Sequence, residues 1–242
     1  MNKTLGVLGG LGPMSSVYFY EMLTSHTKAS RDQEHLNVII SSRADTPDRT
    51  AFILGRSEED PTPVMLAEVS RLINAGAELI ALPCNTAHSF YRQISIASSV
   101  PVINIIRQTV KFCFKNRVSK VGVLATEGTV ASGAYKTVLD EAGIGYAIPD
   151  SEGQEILTDT IYGRIKKGLP PDMDAFYRVC DKLFAEGCER LILGCTELSL
   201  IKKEHSLGER YIDSLEVLAC SAIKLCGKEV TGFDREICEF VP

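Results

Sequence analysis

Two cysteines stand at matching places in two similar stretches of the chain. One stretch reads AGAELIALPCNTAH and contains Cys84, and the other reads EGCERLILGCTELS and contains Cys195. Each passes from a small turn through an apolar strand to a cysteine and then to polar residues that open a helix. A thiol at that place lies near the positive end of a helix dipole, which can favour the thiolate. Simple packing is the ordinary alternative for one buried cysteine, and the two symmetric copies argue against it.

Two equivalent thiols that face each other across a cleft suit a reaction that takes place on the two opposite faces of one carbon atom. Racemisation is such a reaction, because one group removes a proton from a tetrahedral carbon while a second, protonated group delivers one to the other face. Polar side chains on Asn85, Thr86 and Thr196 can hold a carboxylate together with N–H groups at helix N-termini. Capping of the following helices is a second role for them, and it is compatible with the first.

The elements that must position these residues alternate along the chain between strands and helices. Short apolar runs typical of buried parallel strands occupy residues 5–10, 37–42, 78–83, 100–105, 120–125 and 190–193. Helical periodicity separates them, as over residues 63–75 and 173–186. The alternation predicts an α/β fold with parallel sheets covered by helices. In such sheets ligands bind outside the carboxyl ends of the strands, and both cysteines fall at that edge.

The two halves of the chain are similar beyond the cysteine stretches. Residues 5–10 are echoed by residues 121–125, and residues 100–104 are echoed by residues 209–213. We therefore expect two pseudo-symmetric lobes, each a mainly parallel sheet flanked by helices, with the active site in the cleft between them. Chance likeness between generic strand–helix units is the alternative to a duplication.

We expect the first lobe to be built from two segments of the chain and the second lobe to be built from one. The first lobe would comprise residues 1–105 and 207–242 and carry Cys84, and the second would comprise residues 106–206 and carry Cys195. Because no low-complexity linker separates the halves, we expect the lobes to pack closely against each other.

Composition and charge narrow the classes of protein. The 242 residues are 45% hydrophobic and 24% charged, which is typical of a folded globular protein. Lys and Arg number 26 against 31 Asp and Glu, so no basic field attracts a nucleic acid or an anionic membrane surface. No apolar run approaches the roughly 18–20 residues of a membrane helix, and no signal-peptide pattern is present at the start. We expect a cytoplasmic protein with neither a nucleic acid nor a membrane as partner.

The remaining cysteines and the histidines offer less chemistry. The eight cysteines are scattered and form no CxxC pair, which disfavours a disulfide framework and a zinc ribbon. Those other than Cys84 and Cys195 occupy apolar patterns and are expected to pack. The four histidines lack the spacing of metal ligands, so no metal is predicted. His88 lies about one helical turn after Cys84, where it can tune the thiol or serve the structure.

Four short motifs stand out in combination. They are LPCNTAH around Cys84, LGCTEL around Cys195, GGLGP at residues 9–13 and PDRT at residues 47–50. Their combination closely resembles the aspartate/glutamate racemase family, and the resemblance covers nearly the whole chain. The GCTE form of the second cysteine motif is similar to aspartate racemases and broad amino-acid racemases, whereas glutamate racemases of the cell-wall type usually carry GCTH.

The resemblance implies a racemase that uses no cofactor and interconverts the L and D forms of an acidic amino acid, aspartate in preference to glutamate or both. Cys84 and Cys195 would be its two catalytic acid/base residues. Arg49 and Lys166 would engage the distal carboxylate, Arg49 as a planar fork and Lys166 as a point charge. The other residues implied at the substrate site are Leu11, Asn85, Thr86, Thr126, Thr196 and Glu197. A small amino acid is the implied partner, and a homodimer is the implied assembly.

Alternatives remain for three of these assignments. Lys166 is equally well explained as a solvated lysine at a helix end, because Lys167 stands beside it and blurs the match. Glu197 and Asp45 are both candidates for holding the substrate ammonium. Glu197 is also a candidate for orienting the loop that carries Cys195.

Two rival classes of protein share this pattern. The first is a binding protein for a dicarboxylate or an amino acid, in which both thiols would be dispensable. The second is a cysteine-dependent isomerase, decarboxylase or hydrolase of the same superfamily, which would use one cysteine as a nucleophile. The two intact cysteines with their CNT and CTE flanks favour the racemase.

Overall fold

The computed structural model describes residues 2–242 and contains two parallel four-stranded sheets with the same strand order. The first sheet has the order β2-β1-β3-β4, with β1 (Leu5–Gly9), β2 (Val38–Ser42), β3 (Leu79–Ala81) and β4 (Val102–Ile103). The second has the order β6-β5-β7-β8, with β5 (Lys120–Leu124), β6 (Gly145–Ala147), β7 (Arg190–Leu193) and β8 (Tyr211–Asp213). The repeated order confirms the expected α/β fold with two pseudo-symmetric sheets.

Helices connect the strands and cover the sheets. Those of the first half are α1 (Pro13–Ser25), α2 (Arg49–Ile53), α3 (Thr62–Asn74), α4 (Tyr91–Ala97) and α5 (Ile105–Lys115). Those of the second half are α6 (Glu127–Ala131), α7 (Ala134–Ala142), α8 (Ser151–Thr158), α9 (Met173–Ala185), α10 (Leu198–His205), α11 (Ser214–Leu225) and α12 (Arg235–Glu239). Within residues 2–242, no helix combines the length and the apolar character that crossing a membrane requires.

Equivalent caps start the helices that follow the last strand of each sheet. The side chain of Asn104 accepts a hydrogen bond from the N–H of Arg107 and begins α5. The side chain of Asp213 accepts one from the N–H of Leu215 and begins α11. Short polar side chains at this position satisfy N–H groups that have no partner inside the helix.

Strand register brings the functional loops together at one edge of each sheet. Val7 of β1 pairs with Ala81 of β3, and Leu124 of β5 pairs with Leu193 of β7. The loops that follow these strands therefore emerge side by side. The β1 loop turns at Gly10, whose φ is +80° and where a Cβ would overlap the backbone of Arg43. Only glycine fits this turn without strain.

One apolar core joins the two sheets. It contains Val7 of β1 and Val121 of β5, together with Leu215 and Leu218 of α11, and all four side chains are fully buried. Helix α11 packs against both α1 and α5. Separate clusters cover the outer faces, built around α3 in the first half and α9 in the second. The close packing expected between the lobes follows from this shared interior.

The expected lobe boundary at residue 207 does not coincide with the change in sheet membership. Strand β8 follows that residue, yet it pairs with β7 in the second sheet, with Ile212 opposite Ile192. The buried Ile212 gains both ladder hydrogen bonds and a place in the core at this edge. Helix α11, which comes next, is the first element of the segment 207–242 to pack against α1.

Candidate active site

A cavity of about 290 Å³ lies where the loops after β1, β3, β5 and β7 meet. With the exception of Asp45, the residues singled out in the sequence for catalysis or substrate binding line it: Leu11, Arg49, Cys84, Asn85, Thr86, Thr126, Lys166, Cys195, Thr196 and Glu197. Three more lining residues were not singled out, namely Asp48, Thr50 and Tyr162. The structure therefore brings together side chains that are far apart in the chain.

The two cysteines occupy equivalent places at this cavity. Cys84 follows β3 and precedes a 3₁₀ turn over Thr86–Phe90, and Cys195 follows β7 and precedes α10. Both are buried, with 8% and 5% of their surfaces exposed, and both are free thiols. Their matching positions place one thiol on each lobe's side of the cavity.

A buried carboxylate links the thiol of Cys195 to a lysine. Cys195 Sγ donates a hydrogen bond to Glu197 Oε2 at 2.9 Å, and Lys166 Nζ donates to Glu197 Oε1 at 2.6 Å. A Cβ on Gly12 would overlap Glu197 Oε1, so glycine in the β1 loop leaves room for this carboxylate. The β1 loop of the first half of the chain therefore packs closely against the carboxylate of Glu197, which lies in the second half.

Burial and the charge of Glu197 act in the same direction on the pKa of Cys195, whereas burial and neighbouring charges act in opposite directions on the pKa values of Glu197 and Lys166. Burial raises the pKa of Cys195 well above its usual value, and the neighbouring charge of Glu197 raises it further. Burial acts to raise the pKa of Glu197, but the charge of Lys166 outweighs it and the pKa is lowered. Burial acts to lower the pKa of Lys166, but Glu197 and the cysteines outweigh it and the pKa is raised. Glu197 and Lys166 therefore form a charged pair, and Cys195 stays protonated beside them.

The expectation that a helix dipole favours the thiolate is therefore wrong for Cys195. The dipole is a partial charge at the start of α10, whereas full burial and a carboxylate at hydrogen-bond distance both act against ionisation. Sequence position alone could not show that Glu197 points at the sulfur.

His88 holds the backbone of Cys84 and not its thiol. The ring Nδ1 is 2.8 Å from the carbonyl oxygen of Cys84, and the N–H of Ile105 donates to Nε2 at 3.1 Å. This pattern assigns the proton to Nδ1 and leaves the ring neutral. Burial lowers the pKa of His88, which preserves that neutral form. Of the two roles considered for His88, the structure supports the structural one.

Hydroxyl groups connect the two lobes across the cavity. Thr86 Oγ1 lies 3.0 Å from Thr126 Oγ1 and 2.9 Å from Thr129 Oγ1. On the same side, the hydroxyl of Tyr162 donates to Thr50 Oγ1 at 2.9 Å. These buried hydroxyls can each donate or accept, so they can adjust to a polar ligand.

The amide of Asn85 is held by partners from the second half of the chain. Tyr135 donates to Asn85 Oδ1 at 2.8 Å, and Asn85 Nδ2 donates to Ser214 Oγ at 3.0 Å. In the opposite direction, Thr196 Oγ1 donates to the carbonyl of Pro83 at 3.2 Å. The two cysteine loops are thereby fixed to each other's lobes.

Arg49 is buried, and most of its guanidinium is already engaged. It donates hydrogen bonds to the carbonyl oxygens of Leu11, Thr46 and Pro47. Its Nε has no partner within residues 2–242. Arg49 therefore orders the loops around the cavity and places a positive charge at its wall.

The structure separates Lys166 from its neighbour Lys167. A π-helical turn over Asp159–Arg164 runs into a 3₁₀ turn over Ile165–Lys167. Lys166 faces the cavity and lies over the ring of Tyr162, with Nζ 5.4 Å from the ring centroid. Lys167 instead lines an outer surface depression. The widened turn brings Tyr162 and Lys166 to the same site, in keeping with the frequent occurrence of π turns at functional sites.

Asp45 lies outside the cavity, so its proposed contact with the substrate ammonium is wrong. Its side chain is 70% exposed and pairs with Arg43 at 2.5 Å. Asp48 lines the cavity in its place and also caps α2 by accepting from the N–H of Ala51 at 2.7 Å. Asp48 and Thr50 belong to the PDRT motif and could have been found there, whereas nothing in the sequence pattern marked Tyr162.

A larger outer depression of about 890 Å³ adjoins the cavity. The two share the side chains of Leu11, Asp48, Arg49, Lys166 and Glu197. Pro13, Met14, Ala44, Ile165 and Leu200 give the depression an apolar wall. The shared residues form the boundary between the two spaces, and the charged pair of Lys166 and Glu197 belongs to it.

Comparisons with known proteins identify the family. The Asp/Glu/Hydantoin racemase family model matches residues 8–222. The chain is 28% identical over 228 residues to the broad specificity amino-acid racemase RacX of Bacillus subtilis, across 90% of this chain and 96% of that protein. The structure of Picrophilus torridus aspartate racemase matches with a TM-score of 0.82 and 29% identity, across 98% of this chain and 99% of that one. An aspartate racemase homologue from Pyrococcus horikoshii matches with a TM-score of 0.74 and 28% identity, across 93% and 99%.

The matched region and the cavity are the same part of the molecule. Every side chain that lines the cavity falls within residues 8–222, including both cysteine loops. The family resemblance inferred from the four motifs is confirmed by this match. The chain therefore belongs to the Asp/Glu/hydantoin racemase family and is an amino-acid racemase.

Proposed function

We propose that the protein racemises an acidic amino acid with Cys84 and Cys195 as its two acid/base groups. The observation that carries this proposal is the pair of buried free thiols at equivalent strand ends of the two lobes, both lining one cavity. One cysteine, as thiolate, removes the α-proton, and the other, as thiol, delivers a proton to the opposite face. The same residues exchange roles in the reverse direction.

The cavity offers groups for both ends of a dicarboxylic amino acid. The second amide hydrogen of Asn85 and the hydroxyl of Thr86 are donors suited to the α-carboxylate, and the buried setting strengthens each hydrogen bond. Thr196 lines the same wall, with its hydroxyl held by the carbonyl of Pro83. Arg49 and Lys166 supply positive charge for the distal carboxylate. A neutral side chain would leave these buried charges without a substrate partner, which selects for an acidic amino acid.

Aspartate is the substrate that we propose as preferred over glutamate. The GCTE motif, which is similar to that of aspartate racemases, supports this preference. The structure of an aspartate racemase is also among the similar ones, with a TM-score of 0.82. Activity with both amino acids is compatible with the same mechanism.

Chiral analysis of products from L-aspartate, D-aspartate and both glutamates tests the proposal. We expect wild-type protein to form the opposite enantiomer of aspartate, and Cys84→Ser and Cys195→Ser each to lower the rate by at least about a thousandfold, since removal of a catalytic group typically costs this order. Cys238→Ser is the matched control, because this half-buried thiol lies outside the cavity. Racemisation that persists in either cavity variant would exclude the two-thiol mechanism, and a wild type that binds but does not racemise would favour a binding protein.

We also propose that the protein forms a homodimer and works in the cytoplasm. Helix α1 exposes Met14, Val17 and Tyr20, and exposed apolar side chains on one helix suit contact with a second copy. Sedimentation equilibrium tests the assembly, with twice the monomer mass expected and the monomer mass as the contradicting result. Cell fractionation tests the location.

A further inference from the structure

Three hydrogen-bonded side chains connect the substrate-binding wall to one of the two thiols. Lys166 Nζ donates to Glu197 Oε1 at 2.6 Å, and Cys195 Sγ donates to Glu197 Oε2 at 2.9 Å. The Glu197 side chain is only 7% exposed, so water does not compete freely for these bonds. One carboxylate therefore serves both a cation and a thiol.

Lys166 controls where the proton shared by Cys195 and Glu197 lies. The two groups together carry one negative charge, whichever of them holds the proton. With the proton on sulfur, the charge sits on Glu197 and is bonded directly to Lys166. With the proton on Glu197, the charge moves to sulfur and loses that charge-assisted hydrogen bond. Lys166 thus favours the thiol form of Cys195 while no substrate is bound.

Lys166 also stands where an incoming side chain arrives. It lines both the inner cavity and the outer depression, as does Glu197. Lys166 carries a side chain that is 27% exposed, whereas Glu197 is buried behind it. A carboxylate that approaches through the depression therefore meets the ammonium group before it meets the thiols.

We propose that the distal carboxylate of the substrate displaces Glu197 as the partner of Lys166, and that Glu197 then takes the proton of Cys195. The S–H bond breaks with its electron pair left on sulfur, and an O–H bond forms at Glu197 Oε2. For the enantiomer whose α-proton faces Cys195, the resulting thiolate removes that proton. The inference rests on the proposed function and deepens it, because it makes Lys166 the positioning residue that couples substrate choice to thiol activation.

This coupling makes the distal carboxylate act on the chemical step. A neutral amino acid such as alanine leaves Lys166 on Glu197, so the thiol of Cys195 keeps its proton. Aspartate and alanine are therefore expected to differ in kcat as well as in KM. A site that merely bound the carboxylate equally in the ground and transition states would select through KM alone.

The variant Lys166→Met, with Lys167→Met as matched control, separates these cases. Exchange of the α-proton in deuterated water is followed by NMR for aspartate and for alanine at saturating concentration. In Lys166→Met we expect aspartate exchange to fall by about tenfold to a hundredfold, the worth of one charged hydrogen bond, while alanine exchange is maintained or rises. Lys167→Met, which changes the same charge outside the cavity, leaves both rates unchanged. If Lys166→Met lowers the α-proton exchange rates of aspartate and alanine by the same factor, the proposal is overturned.

A second measurement needs no variant that alters the site. Wild-type protein is given alanine together with acetate, which supplies the missing carboxylate as a separate molecule. We expect acetate to accelerate α-proton exchange of alanine, whereas chloride at the same ionic strength does not. Alanine exchange that acetate fails to accelerate contradicts the displacement of Glu197.

Failure of the proposed function gives a different result from failure of this inference. The proposed function fails when wild-type protein exchanges the α-proton of neither aspartate nor glutamate. The inference alone fails when wild-type exchange of aspartate is intact and alanine and aspartate respond alike to loss of Lys166.

Discussion

The two thiols proposed as acid/base groups, those of Cys84 and Cys195, occupy equivalent positions but have unequal surroundings. Cys195 donates to Glu197 at 2.9 Å, whereas at Cys84 the nearby His88 is bonded to the backbone carbonyl. In the proposed two-thiol mechanism, a reaction that runs in both directions uses each thiol in turn as the base. The asymmetry therefore predicts that the two enantiomers respond differently to substitution of Glu197.

Replacement of Glu197 by Gln tests this asymmetry through pH dependence. Burial first and then the charge of Glu197 raise the pKa of Cys195. Loss of that negative charge lowers the pKa, so we expect the rate for one enantiomer to begin its alkaline rise at lower pH than in wild type. The plateau should fall by about a hundredfold, because the proton acceptor is lost.

Initial rates with L- and D-aspartate from neutral to alkaline pH provide the measurement. Glu204→Gln is the matched control, because this exposed side chain lies on the same helix α10 outside the cavity. A rise at unchanged pH for both enantiomers would show that Glu197 does not act on Cys195.

The places of the two cysteines at the cavity could be predicted from sequence because each follows directly after a buried strand, whereas the other candidate residues were implied by the family resemblance. Cys84 and Cys195 stand just beyond β3 and β7, where parallel sheets bind ligands. What could not be predicted depends on contacts between distant segments. Tyr162 reaches the cavity through a π turn without a periodic pattern, and the pKa direction of Cys195 depends on burial and on where Glu197 points.

At the scale of secondary-structure elements, the buried imidazole ring of His88 joins the loop after β3 to the start of α5. His88 accepts from the N–H of Ile105 and bonds the carbonyl of Cys84, so it fixes the cysteine loop to the start of the helix. His88→Gln should lower the free energy of unfolding by about 1–3 kcal/mol, because a buried backbone group loses its partner. Urea denaturation measures this, and the exposed His205→Gln serves as control.

The same ring makes stability depend on pH. Burial lowers the pKa of His88 from its usual 6.5, so below that pH the unfolded chain binds a proton that the folded chain does not. We expect the wild-type free energy of unfolding to fall as pH decreases from about 6.5, and His88→Gln to show a smaller decrease. Equal pH dependence in the two proteins would mean that His88 is protonated in the folded state.

Apolar runs predicted β1 to β5 and β7, including the half-buried edge strand β2, and missed the three-residue edge strand β6. The run 190–193 coincides with β7, and the other predicted runs contain β1 to β5. Strand β6 was not predicted, because Gly145, Tyr146 and Ala147 are exposed or half-buried at the sheet edge. An apolar run is the sequence signal of a strand, and three half-buried or exposed residues at a sheet edge are too few to give that signal.

The two lobes together form one structural unit through α11. Leu218 of this helix is fully buried in the core that contains both β1 and β5. Leu218→Ala should lower the free energy of unfolding by about 2–5 kcal/mol and slow-exchanging amides of both sheets should lose protection equally. Hydrogen exchange together with urea denaturation measures this, and the exposed Leu169→Ala is the control. Loss of protection in only one sheet would show that the lobes unfold separately.

The duplication could be recognised from repeated motifs, but the path of the chain between lobes could not. Strand β8 lies in the second sheet although residues 207–242 were expected in the first lobe. The division depends on which free sheet edge the strand meets, and its short apolar pattern fits either edge. The assignment of the remaining segment to a lobe stays a prediction.

Deuterium incorporation during the first turnovers tests the two-thiol mechanism most directly. Unlabelled L-aspartate is incubated with wild-type protein in deuterated water, and both enantiomers are recovered at low conversion. Because one thiol removes the proton and the other delivers a solvent deuteron, we expect D-aspartate fully labelled at Cα while the remaining L-aspartate stays unlabelled. D-aspartate that retains the substrate hydrogen, or equal early labelling of both enantiomers, would indicate a single base and contradict the roles assigned to Cys84 and Cys195.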